Sequence, residues 1–446
     1  HLQEASQTHP EVIVLKTACN IWPLLEQADH VYTVSSHCGF EALFCGTPVT
    51  CFGFPFYAGW GLTNDALSSD LVPNRRGKRS LEELFAASYI VSSQYLDMHD
   101  RKPTTLEDTI DTLSVIMESR ARNRSFVATA GLSAWKRRAV NPFLMSRNGK
   151  PRHFSSFDAA EEAALAKGDG IVAVWGESTV DKTLPTGDAP EVVRLEDGFL
   201  RSTGLGAALR FPLSLVRDTS DHLYYDSRGR GMIETYLDQR PFSEDLIDRA
   251  SRLIDQIVTH RLTKYRLDEP DNELTSDGPV KPDQLKILVT GQVENDASIK
   301  LSAPEVKTNT GLLKAVREQF PDAVIAYREH PDVAKNLRPG KADRALADID
   351  GDMTSLANLL DWCDRLETLT SLTGFEALLR RKKVGVHGRP FYAGWGLTDD
   401  RLALPPRGSA TLEELAVAAL VLYPDYIHPE SGLPCSPERA VRSMTE

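Results

Sequence analysis

Thr370, Ser371, Thr373, Gly374 and Glu376 fall in the run TSLTGFE, between a strand-like and a helix-like segment. Hydroxyls and free backbone N–H groups at the start of a helix form a natural phosphate site. Glu376, one turn in, is placed to accept from ribose hydroxyls. The same residues equally suit ordinary Ser/Thr helix capping. His330 and Pro331 end the run AVIAYREHP, with Arg328 just before them. A histidine held by a rigid proline can donate to a phosphate or a cytosine-ring acceptor; the alternative is a solvent-facing loop histidine. Glu196 and Asp197 precede Gly198 at the end of another strand-like run. Adjacent residues of a strand face opposite sides, so one carboxylate can face a cleft while the other braces the structure. A polar Asp-Gly turn reads the same way. Gln292, Asp296 and Ser298 follow a further apolar run. Asp296 could attack an anomeric carbon with Glu196 as acid/base across a cleft. An Asx turn or a helix N-cap is the plainer reading of Asp296.

These residues need a scaffold that brings distant segments together. IVAVWG (171–176), EVVRLEDGFL (191–200) and LSLVRDTSDHLYYD (213–226) read as extended segments. FSEDLIDRASRLIDQIVTHRL (242–262) is an amphipathic helix capped by Ser243. The polar stretch 265–284 reads as a linker. LKILVTGQ then starts a second series: a helix near 308–320, AVIAYREHP, a helix near 353–361, RLETLT, GFEALLRR and VGVHG. Strands alternating with helices on both sides of a linker predict α/β architecture, two doubly wound Rossmann-like domains facing a cleft. Ligands of such sheets sit at the carboxyl ends of the strands, where the polar motifs fall.

The chain also repeats itself. Residues 36–65 align without a gap with 371–400 at an offset of 335, with 18 of 30 positions identical. The similarity continues from 71–91 to 402–422. A period this long is a duplicated module, not a solenoid repeat. The expected division is therefore 1–127 as the C-terminal portion of a first module, 128–275 as the acceptor-side domain of a second, and 276–446 as its donor-side domain. The first portion has no counterpart of Glu196, Asp296 or the strand before His330, and the setting of Thr8, His9 and Pro10 does not match. It is expected to be catalytically silent, and the chain to be a fragment of a longer protein. The dense aromatic run Phe391 to Thr398, and its copy at 56–63, reads as core packing against the cleft floor rather than sugar stacking.

Composition bounds the function. The chain of 446 residues is 41% hydrophobic and 26% charged, typical of a globular protein. It lacks an apolar run long enough to span a bilayer, and its first residues do not resemble a signal peptide. Six cysteines without a CxxC pair read as reduced thiols of a cytosolic protein. A net charge of −12 argues against nucleic acid and requires a local basic pocket for any acidic substrate. Arg120, Arg122, Arg124, Lys136, Arg137 and Arg138 could touch a membrane surface, although a solvated charged face is the simpler reading. A non-catalytic scaffold for other enzymes is the rival class of function.

The motifs LEDGFLRSTGLG, GQVENDASI, EHPD, TSLTGFEAL and GRPFYAGWGLTDD together resemble the capsular polysaccharide β-Kdo transferases of the KpsC type. GLSAWKRR and LYPDYIHPESGLPC look like that family's module boundaries. The resemblance implies tandem modules of the two-Rossmann GT-B architecture. It implies CMP-Kdo as donor substrate with no further cofactor and no metal, and retention of anomeric configuration. The implied acceptor is a Kdo-bearing glycolipid, a poly-Kdo linker on lysophosphatidylglycerol, with capsule-assembly proteins as possible neighbours at the cytoplasmic face of the inner membrane. A β-2,7 linkage belongs to the second module of that family. By motif, His330, Thr370 and Ser371 would hold the CMP phosphate and Glu376 the ribose. Gln292, Ser298, Thr373 and Gly374 would complete the donor site, with Asp197, Arg201 and Arg328 in support. Asp296 would be the nucleophile and Glu196 the acid/base. The same elements resemble bacterial sialyltransferases, in which the Glu-Asp-Gly carboxylate is the base of a single inverting displacement.

Overall fold

A computed structural model describes residues 9, 11–67, 77–176, 189–203, 211–266, 281, 283–403 and 407–445. Most of the expected linker, residues 204–206 of the Glu-Asp-Gly motif, and Thr8 and Pro10 lie outside the described residues. The chain forms two compact units. One is His1–Asp97 with Arg101–Thr109; the other is Met98–Asp100 with Ile110–Glu446. The division falls earlier than residue 127 because the later part of helix Leu106–Arg122 belongs to the second unit. Asn123, fully buried, donates from Nδ2 to the carbonyls of Phe143 and Met145 at 2.8 and 3.0 Å.

In the first unit, strands β1 (Val31–Thr33), β2 (Val49–Cys51) and β3 (Asn64–Asp65) form a parallel sheet in that order. β4 (Tyr95–Leu96) pairs antiparallel with β5 (Pro103–Thr104). Helix Cys38–Phe44 packs Phe40 against Tyr57, and Tyr57 donates to the carbonyl of Ser36.

The second unit holds two larger sheets among the described residues. The first comprises β6 (Val127–Ala130), β7 (Arg152–Phe154), β8 (Ile171–Trp175), β9 (Glu191–Asp197) and β11 (Ser214–Asp218). Between these, β10 (Ser202–Thr203) instead pairs with β12 (Tyr265–Arg266). The second sheet comprises β13 (Lys286–Thr290), β14 (Val324–Arg328), β15 (Ile349–Asp350), β16 (Arg365–Thr368), β17 (Lys383–Val386) and β18 (Asp399–Asp400). Its order is β15-β14-β13-β16-β17-β18, all parallel. This is the doubly wound 3-2-1-4-5-6 arrangement, with its switch point beside β13. β19 (Pro424–Ile427) and β20 (Pro434–Cys435) return to the first sheet, where β19 pairs antiparallel with β11. A linear cut at 275/276 therefore does not separate the two sheets. The C-terminal segment is held there by its ladder with β11 and by Ile427 N–H donating to Leu213 O at 2.8 Å, with Tyr426 buried.

The helices start where their caps lie. Ser243 accepts from Leu246 N at 3.4 Å and opens helix Glu244–Thr259, whose Ala250, Leu253, Ile254 and Ile257 face the core. The two sheets share one aromatic cluster: Phe199 lies 4.9 Å from Phe391 and 6.0 Å from Phe375 between ring centroids. Each such ring buried contributes ~1.5–3 kcal/mol. Phe391, Tyr392 and Trp395 are 4%, 0% and 1% exposed, so the aromatic run of the second copy is core, whereas in the first copy Tyr57 is buried and Phe56 is 42% exposed. The two copies share their local bonds. The indole N–H of Trp60 donates to Phe56 O at 2.8 Å, and that of Trp395 to Phe391 O at 2.9 Å. Gly394 has φ of 81°, a left-handed turn that lets its N–H reach Asp400 at 3.0 Å, as Gly59 N–H reaches Asp65 at 2.9 Å. No helix among the described residues is long and apolar enough to cross a membrane.

Candidate active site

A cavity of about 490 Å³ opens at the switch point of the second sheet, facing the end of β9 in the first. It is lined by Glu196, Asp197, Gln292, Asp296, Ser298, Arg328, His330, Thr370, Ser371, Thr373 and Glu376. Thus three loops at the carboxyl ends of β13, β14 and β16 converge with a carboxylate pair from another sheet.

Glu196 and Asp197 divide as alternation along a strand predicts. Asp197 Oδ2 accepts from Arg201 Nε at 2.6 Å, and Arg201 is 3% exposed. Arg201 therefore braces the carboxylate from behind and does not line the cavity. Burial, reinforced by the Asp197 charge, pushes the Glu196 carboxyl up to about 7, against the pull of Lys264 and Lys136. A group near neutrality can both take and give a proton.

Asp296 caps helix Ala297–Ser302: its Oδ1 accepts from Ser298 N at 3.1 Å and lies 3.1 Å from Ser298 Oγ. The capping reading of Asp296 is thus observed, while its Oδ2 lies 3.9 Å from Arg338 Nη2 and both residues line the cavity. His330 caps the turn Pro331–Ala334, its Nδ1 accepting from Asp332 N at 3.1 Å. That bond leaves the ring proton on Nε2 of the neutral imidazole. Burial lowers the His330 pKa further, so neutral His330 is a directed donor. Arg328 Nη1 bonds the carbonyls of Gly351 and Thr354, the latter at 2.5 Å, which fixes the end of β14.

Gln292 holds the switch point together. Its Oε1 accepts from Thr370 N at 2.9 Å and its Nε2 donates to Thr370 Oγ1 at 3.0 Å. Ser371 caps helix Leu372–Leu379 and lies 3.2 Å from both Thr373 N and Thr373 Oγ1. Glu376, 6% exposed, accepts from the Lys264 N–H through Oε1 at 2.6 Å. Gly374 does not reach the cavity, contrary to the expectation from its motif. A methyl group there would overlap the Tyr392 hydroxyl and ring, so glycine is required by packing. Gly39 stands against Tyr57 in the same way, which is why the glycine recurs in both copies.

Lys264 is the lining residue that motif reading missed, with Tyr224, Tyr265 and Arg338. Burial alone would lower its pKa. Tyr265, Tyr224, Asp197 and Glu196 more than offset that and hold the ammonium charged. It lies in no motif, and its only sequence signal is its place just before the polar linker. Its charge supplies the local cation an acidic ligand needs in a chain of net charge −12.

Fold and site define an α/β protein with parallel sheets and a polar cleft at a strand-order switch point. The family model described as "Capsule polysaccharide biosynthesis protein" matches residues 2–95 and 172–426, and the chain belongs to that family. It is 37% identical over its whole length to capsule polysaccharide modification protein LipA of Neisseria meningitidis serogroup A, and spans 63% of that relative's length. It is 34% identical to the lipopolysaccharide-processing protein LpsZ of Rhizobium meliloti, over 73% of this chain and 76% of that one. Among solved structures it is similar to Thermosulfurimonas dismutans KpsC, beta Kdo 2,7 transferase, with a TM-score of 0.58 and 35% identity over 72% of this chain and 98% of that one. The beta Kdo 2,4 transferase of the same protein gives a TM-score of 0.59 at 28% identity, with the same coverage. The resemblance to KpsC-type Kdo glycosyltransferases, first carried by short motifs, thus holds over sequence and fold.

Proposed function

We propose that the second unit is a GT-B transferase that moves Kdo from CMP-Kdo to a Kdo-bearing glycolipid, with retention of configuration. The observation that supports this most is the convergence in one cavity of Glu196 from the first sheet with Asp296, His330 and Ser371 from the second. The N–H groups at the start of helix Leu372–Leu379, the Ser371 hydroxyl and the Nε2–H of His330 receive the CMP phosphate. CMP is a good leaving group, so its departure needs charge stabilisation more than a strong acid. Asp296 Oδ2 attacks the anomeric carbon as CMP leaves, forming a covalent glycosyl-enzyme. Glu196 then takes the proton of the acceptor hydroxyl as that oxygen displaces Asp296. Two carboxylates are required because one residue cannot be nucleophile and base at once. The 2,7 linkage follows the relative of higher identity. The acceptor is a poly-Kdo linker on lysophosphatidylglycerol, met by peripheral association at the cytoplasmic face of the inner membrane.

Asp296→Asn keeps the helix cap and removes the nucleophile. Transfer should fall by about 10³-fold or more while CMP affinity, measured by calorimetry, stays at the wild-type value. Undiminished transfer sinks the assignment. A second reading, a single inverting displacement with Glu196 as base, is favoured by the near-neutral pKa of Glu196. The anomeric configuration of the product, read by NMR, separates the two.

A further inference from the structure

The cleft accounts for the second sheet's switch point but leaves that of the first sheet unassigned. β6 is flanked by β7 on one side and β8 on the other, both parallel to it. The chain leaves β6 and β8 in opposite directions across the sheet, and crevices beside such strand ends are where α/β folds bind ligands. Helix Ala134–Val140 begins there, capped by Ser133. Its Trp135 ring lies parallel to Phe211 within 2°, with centroids 6.3 Å apart. Phe211 is 48% exposed, a large apolar ring facing solvent beside the Arg138 guanidinium. The Arg138 guanidinium stands 5.4 Å from the Phe211 centroid, and Lys136 Nζ stands 4.0 Å above the Trp175 ring at the end of β8. Gly176, the next residue, approaches Glu196 so closely that a methyl on it would lie 3.7 Å from Oε2. Lys136 also acts on the charge of Glu196, so the cluster of rings and cations stands beside the carboxylate that handles the acceptor proton in the proposed reaction. None of Trp135, Lys136, Arg138 or Phe211 lines the donor cavity.

We infer that Trp135, Phe211, Lys136 and Arg138 form the acceptor subsite and bind a saccharide whose units carry carboxylates. The rings stack on the apolar faces of the sugars. Lys136 and Arg138 pair with the carboxylates, which the net charge of −12 would otherwise repel. The same side chains could in principle touch a bilayer. Their place beside the ends of β6 and β8, with Lys136 acting on Glu196, favours the saccharide. The inference rests on the reading of the cleft as a Kdo transferase.

The test uses the full chain and the methyl glycoside of a Kdo disaccharide. Saturation-transfer NMR should show the disaccharide bound to wild type. Trp135→Ala, Phe211→Ala and Arg138→Gln should each weaken binding by about fivefold to tenfold, with CMP affinity unchanged. Trp135→Phe, which keeps a ring, should retain most of the binding. Equal binding by wild type and all three variants, or no binding by wild type, overturns the subsite. So does retained disaccharide binding with lost binding to phosphatidylglycerol vesicles, which would make the platform a membrane contact. Should Trp135→Ala fail to fold, the exposed Phe211 and Arg138 positions carry the test alone. Disaccharide binding that depends on the platform in a chain that transfers no Kdo would leave the subsite standing and remove the transferase reading.

Discussion

The backbone N–H of Lys264 donates to Glu376 Oε1 at 2.6 Å, tying the segment that leaves the first sheet's helices to the helix that follows β16. One carboxylate oxygen is thus structural, and the cavity wall at Glu376 depends on the position of Lys264. Glu376→Ala strands a buried N–H and should cost ~1–3 kcal/mol of stability. Glu376→Gln keeps the acceptor and should unfold near the wild-type temperature. Calorimetry of both variants distinguishes a tie from a ribose ligand with no structural part.

Glu196 makes stability and activity depend on pH. Its folded pKa is raised from 4.5 to about 7, so folding favours the protonated form. That contribution is complete below 4.5 and is lost as pH rises through about 7. Glu196→Gln should therefore be more stable than wild type at pH 8, by up to ~3 kcal/mol, and equal to it at pH 4. In wild type, transfer should rise through pH of about 7 as the base ionises. Lys264 pulls this pKa down, so Lys264→Met should move that limb to higher pH. A limb that stays in place would separate Lys264 from the carboxylate.

His330 has two separable duties. Its Nδ1 caps the turn, and its Nε2–H is left for the proposed contact with the CMP phosphate. His330→Asn preserves a capping side chain and should leave thermal stability near wild type. Loss of the directed donor should weaken CMP binding by about tenfold, the value of a hydrogen bond to a charged group. Unchanged CMP affinity would return His330 to the role of a cap.

Gly374 is a packing position. Gly374→Ala forces a methyl into Tyr392 and should cost ~1–3 kcal/mol. The effect should appear as a lowered unfolding temperature. Residual folded protein should bind CMP with little change. A selective loss of CMP affinity at wild-type stability would show that this backbone touches the ligand after all.

Local patterns carried much of this protein's design. Apolar runs ending in polar residues located β13, β14 and β16, because a parallel strand buried on both faces must be apolar and its functional residues must come after it. Ser243, Asp296 and Ser371 were legible as cap formers because capping is local chemistry, whereas the turn capped by His330 showed only in the structure. The repeat of 36–65 at 371–400 marked two similar structures before any coordinates, and the shared Tyr, Trp and Gly bonds explain the identities. Tertiary structure decided what sequence distance hides. It brought Glu196 into the cavity with Asp296 and buried it enough to reach a pKa of about 7. It placed Lys264 in the cavity wall, although no motif contains it, since one buried charge is recognisable only by the carboxylates around it. It spent Gln292 on Thr370 and Gly374 on Tyr392, and it returned 424–435 to the first sheet. The reason is physical: capping and strand burial are set by neighbours within a few residues, whereas desolvation, charge pairing and close packing are set by whatever the fold places alongside.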